Sequence, residues 1–97
     1  VLIETFEQLI NFGAGRQFVT LFNRGIAKLY LKQNKAALED LDLAIRLNDK
    51  SHQYFLNRAF AKYNLEDFDG ACMDWQKAAL MGNEEGMKYY NNVCAGK

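Results

Sequence analysis

A chain of 97 residues, 49% of them hydrophobic, has room for one small domain and buries about two thirds of the surface its unfolded form exposes. Twelve basic residues balance twelve acidic ones, so neither nucleic acid nor an anionic membrane surface is an expected partner. No run approaches the roughly 18 unbroken apolar residues of a membrane span, and no basic-then-apolar signal segment opens the chain; it begins at Val1 without an initiator Met, as a piece cut from a longer protein would.

Proline is absent, helix formers abound and β-branched residues are few, which predicts an all-α chain. Leu2, Ile3, Phe6, Leu9 and Ile10 recur at three- and four-residue intervals, the pattern of an amphipathic helix that ends at Gly13, Ala14 and Gly15. A second helix is expected from about Gln17 to Leu31. After a turn over Lys32 to Lys35, with Asn34 as N-cap, Leu38, Leu41, Ile45 and Leu47 mark a third, ending near Asn48 and Asp49. Ser51 is placed to cap a fourth, which carries Tyr54, Phe55, Arg58, Ala61, Lys62 and Leu65. Asp67 then caps a fifth, running through Ala71, Trp75, Ala78 and Ala79 to Gly82, a residue suited to the left-handed conformation past a helix end. Asn83, Glu84 and Glu85 read as the acidic start of a sixth helix reaching Val93 or Cys94.

The chain meets itself when shifted by 34 residues: Asn23, Arg24, Ala27, Lys28, Leu31, Ala37, Asp40 and Ala44 fall on Asn57, Arg58, Ala61, Lys62, Leu65, Ala71, Asp74 and Ala78. Gly25 and Ala59, Ala37 and Ala71, and Ala44 and Ala78 are small, as needed where two helices approach closely. Leu41 and Trp75 are bulky and suited to fill the space between units. This pattern, with Asn23-Arg24-Gly25 and Asn57-Arg58-Ala59, resembles the tetratricopeptide repeat family over Thr20 to about Met87. Two departures are visible: Asp49 and Asn83 stand where a proline often follows the second helix, and Asn34 stands where the second copy has the bulky Phe68.

The resemblance implies helix-turn-helix repeats stacked as a short right-handed solenoid, a single domain with flanking N-terminal and C-terminal capping helices. Residues 1–15 would form the N-terminal helix and hinge, 20–53 the first repeat, 54–87 the second and 84–94 the capping helix. It also implies a non-catalytic scaffold that binds a peptide or a partner helix on the concave wall made by the first helix of each unit. Phe22, Asn23, Ile26 and Tyr30 of the first unit and Leu56, Asn57, Phe60 and Asn64 of the second would face that groove. The family's clamp for a terminal carboxylate uses Lys, Arg and Asn. Only the two Asn positions survive here, with Phe22 and Ile26 where the lysine and second asparagine would stand, so such a clamp is not expected.

An apolar wall of this kind calls for cover: the chain's own first segment, a partner's amphipathic helix, or a second copy in a homodimer. The plainer alternative makes Phe22, Ile26, Leu56 and Phe60 ordinary core, and leaves the chain a cap or spacer in a longer solenoid with no ligand of its own. Other residues invite plain readings. His52 at a helix start is expected to be solvated, with no partner for acid-base work. Cys72 and Cys94 lack metal-ligand spacing and read as two lone thiols, which weighs toward a reducing compartment. Arg24, Lys28, Arg58 and Lys62 form either a basic stripe for acidic segments or a solvated face paired with Asp40, Asp42 and Asp74. Asp67, Asp69 and Asp74 lack the glycine and glutamate of a calcium loop. No metal, cofactor or catalytic residue is expected.

Overall fold

A computed structural model describes residues 17–95. The segment expected to form the N-terminal helix and its glycine hinge lies outside these residues. Among the described residues 82% are helical and none is in a strand. Five α-helices follow in order: α1 (Gln17–Tyr30), α2 (Asn34–Leu47), α3 (His52–Asn64), α4 (Phe68–Leu80) and α5 (Glu84–Tyr89). A π-helical segment, Tyr90–Cys94, prolongs α5. Among the described residues no helix is long and apolar enough to cross a membrane.

Each helix packs on the next in sequence, and α1 also touches α3. The repeated small and large residues explain how. Ala37, Leu41 and Ala44 on α2, and Ala71, Trp75 and Ala78 on α4, are all buried at 0–1% exposure, a stripe at three- and four-residue spacing that turns one face of each helix inward. Gly25 on α1 lies against Leu41: a Cβ there would stand 3.0 Å from its Cγ. In α3 the buried set is Tyr54, Phe55, Leu56, Ala59 and Ala61. Trp75, Leu21 and Leu41 are the largest fully buried side chains, so the bulky residue of each unit does fill the interior.

The three turns after α1, α3 and α4 share one construction. An amide three residues past the helix end reaches back to a carbonyl, Gln33 N to Lys28 O at 2.8 Å, Asp67 N to Lys62 O at 2.8 Å and Asn83 N to Ala78 O at 2.9 Å. The residue before each amide is left-handed: Lys32 at φ 61°, Glu66 at φ 66° and Gly82 at φ 101°. Gly82 meets its expectation, whereas two L-residues occupy the same strained position elsewhere.

Helix starts are less uniform. Asp67 caps α4 by accepting the Gly70 amide at 3.0 Å, and Asn83 caps α5 by accepting the Gly86 amide at 2.7 Å. Asn34 is the first residue of α2 rather than its cap. Gln33 holds the cap position without a side-chain bond, and Asn34 Oδ1 instead accepts from Asn64 Nδ2 at 3.1 Å. Ser51 stands at the N-cap of α3 but its side chain makes no capping bond. His52 is half-buried rather than solvated: the amide that caps α5 donates from Asn83 Nδ2 to His52 Nδ1 at 2.8 Å, tying the start of α3 to the start of α5.

The reading of two lone thiols is overturned. Cys72 on α4 and Cys94 at the end of the π-helical segment are joined in a disulfide across 22 residues of chain. Their spacing carries no known signature, and only the packing of α5 across α4 brings them together.

Candidate functional site

The four expected basic residues are used inside the fold. Arg24 grips Asp40 with two nitrogens, at 2.7 and 2.6 Å, and Lys28 Nζ adds a third contact at 3.0 Å. One period later Arg58 grips Asp74 through two bonds of 2.8 Å and Lys62 Nζ lies 3.1 Å from it. Both carboxylates are 4% exposed. A buried carboxylate held by two cations and a planar fork has its lone pairs satisfied, whereas the loss of one partner would strand a charge. Burial pushes the Asp40 carboxyl up, but hydrogen bonds and charge from Arg24 and Lys28 together outweigh it and hold it below its ordinary value. The hydrogen bonds that Arg58 donates to Asp74 raise the guanidinium's value against burial, aided by the charges of Asp74 and Asp42. Arg58 also reaches Asp42 of the preceding unit at 3.1 Å. These cations therefore form internal braces and not a stripe open to acidic ligands.

The expected wall residues separate by environment. Leu56 is 6% exposed and belongs to the core. Phe22 is half-buried and stacks on Tyr54 with centroids 4.5 Å apart. Ile26 is half-buried and Asn23 exposed. Asn57 spends its amide on its own helix, donating to the Gln53 carbonyl at 2.8 Å, while Asn64 bonds Asn34 across to α2. Tyr30, 84% exposed, joins Leu29, Asn57, Phe60 and Asn64 around an open hollow of about 300 Å³. Four of the eight expected residues, Tyr30, Asn57, Phe60 and Asn64, thus come together at the C-terminal ends of α1 and α3.

Phe60 and Asn64 also line a second hollow of about 290 Å³, completed by Tyr63, Trp75, Tyr89 and Val93. Its rings touch one another. Phe60 meets Trp75 and Tyr89 edge-on at 5.7 and 4.9 Å, and Tyr89 stacks on Trp75 at 5.3 Å and 19°. Such pairs contribute about 0.5–1.5 kcal/mol each beyond their area. Trp75 Nε1 is buried and has no hydrogen-bond acceptor among the described residues, an arrangement that costs about 1–3 kcal/mol. Tyr63, Tyr89 and Val93 escaped the sequence reading because the second hollow needs α5 folded across α3 and α4. The aromatic pair Tyr89-Tyr90 on the expected capping helix was the one available signal.

Among the described residues no group of His, Cys, Asp and Glu is placed to hold a metal ion. The sequence matches no family model, and no curated protein matches it at a significant level.

Proposed function

We propose that this chain is a non-catalytic interaction module of the tetratricopeptide type, which binds an extended, largely apolar segment of a partner protein across the ends of α1 and α3. The observation that carries this reading is the hollow of Tyr30, Asn57, Phe60 and Asn64. An exposed aromatic ring and two amides border a concavity, the mixture of apolar body and sparse polar groups on which peptide recognition rests. The ligand is neutral at this site. Among the described residues that line the hollow none is charged, and Arg24, Lys28, Arg58 and Lys62 are all engaged with Asp40, Asp42 and Asp74, which favours a neutral segment over a terminal carboxylate.

Selection from a displayed random-peptide library tests the proposal. Enriched peptides should be apolar and lack any requirement for a free C-terminus. Their affinity should fall at least about tenfold, roughly 1.4 kcal/mol, in Tyr30→Ala. Tyr30 is exposed enough for that change to leave the fold intact. If no peptide is enriched, or if Tyr30→Ala and Asn64→Ala bind every enriched peptide as the parent does, the groove reading fails and a spacer between neighbouring repeats describes the chain better.

A further inference from the structure

The segment after Asn83 is held in two different ways along its length. Its first turn is fixed by packing and hydrogen bonds: Asn83 caps it and bonds His52, and Gly86 lies so close to α4 that a Cβ would stand 2.9 Å from Ala78 Cβ and 3.1 Å from the Trp75 carbonyl oxygen. Beyond Gly86 the character changes. Met87, Lys88, Asn91 and Asn92 are exposed, and Tyr89 and Val93 turn inward against the aromatic hollow. The helix then leaves α geometry for the wider π turn that brings Cys94 to Cys72. Such turns are rare, and they occur frequently at functional sites. Beneath Tyr89 lies Trp75, whose indole N–H meets no acceptor among the described residues.

We propose that the Cys72–Cys94 bond is a redox latch that holds Tyr89–Cys94 over the Trp75 hollow, and that its reduction uncovers the aromatic face formed by Phe60, Tyr63 and Trp75. The chemistry is thiol exchange with a dithiol. The dithiol gives two electrons and two protons, the S–S bond breaks to leave two cysteine thiols, and the reductant closes into its own disulfide. Both cysteines are half-buried and not sealed in the core, which leaves a small thiol a path to the bond. The anchored first turn keeps the segment attached through Gly86, and the residues beyond it swing away. Because the uncovered face shares Phe60 and Asn64 with the hollow beside Tyr30, opening enlarges one continuous surface. The latch does not depend on peptide binding there.

Trp75 is the sole tryptophan, so its emission reports the hollow directly. The whole chain is compared before and after treatment with dithiothreitol, with free thiols titrated alongside. On appearance of two thiols per chain, the emission should shift to longer wavelength and the acrylamide quenching constant should rise several-fold. The far-UV helical signal should lose no more than the segment after Gly86, and reoxidation should restore the starting spectrum. A Cys72→Ser/Cys94→Ser variant should show the open spectrum without reductant and ignore its addition. Unchanged emission and quenching in the fully reduced chain overturn the proposal. Wholesale loss of helix on reduction does so too, since the bond would then staple the entire fold, as does a bond that dithiothreitol fails to open.

Discussion

Lys32 and Glu66 stand one period apart with φ of 61° and 66°, where the third turn has Gly82. Holding an L-residue left-handed costs about 1–2 kcal/mol, part of which a glycine returns as extra freedom in the unfolded chain. Neither side chain is needed for packing, because both are exposed. Lys32→Gly and Glu66→Gly should each therefore raise stability by about 0.5–1 kcal/mol, read as a gain of several degrees in melting temperature. A loss in either variant would mean that the side chain does something the turn geometry does not reveal. Trp75 sets the opposite limit. Its truncation to alanine empties the space between α3, α4 and α5 and should cost about 3–5 kcal/mol, enough to unfold most of a domain this size. Trp75→Phe removes an N–H that finds no acceptor among the described residues and should cost clearly less in a urea titration, whereas equal losses would give the indole nitrogen a partner outside them.

At the scale of the elements, each unit is braced by one buried aspartate beneath an arginine and a lysine from the facing helix. Asp40 is held below its ordinary value, so its contribution is complete above the unfolded value near 4 and disappears as pH falls through the lower folded one. The melting temperature should be level from neutral pH to about 5 and drop below about 4. Asp40→Asn should be less stable at neutral pH and show a shallower acid drop, and parallel acid profiles for the two proteins would remove the brace from the account. Much of this was legible in the sequence. The period paired Asp40 with Asp74 and Arg24 with Arg58, and helical spacing put the alanines on one face. Helix starts were harder to read, because Asn34 and Ser51 have the right chemistry for caps but their bonds depend on backbone geometry at a single residue. His52, Tyr89 and the cysteine pair were illegible for another reason: each acquires its partner only when α5 and the segment after it cross the preceding helices, and no local pattern encodes that crossing.

Across the whole molecule, contacts run mostly between neighbours in sequence. A fold built of such contacts opens segment by segment, the less buried parts first. Amide exchange should be slowest in α2, α3 and the buried face of α4, faster in the outer turns of α1, and fastest after Gly86 once the disulfide is reduced; uniform protection would show a single closed unit instead. Arg58 on α3 makes a central junction among the described helices, bonding Asp74 on α4 and Asp42 on α2. One period further on, the corresponding residues are Gln76 and Asn92, both uncharged, and there the sulfur bridge joins the helices instead. The two junctions of this small protein therefore rest on different chemistry: the first is held by a partly buried ion pair that salt screens only weakly, the second by a bond that a thiol can break.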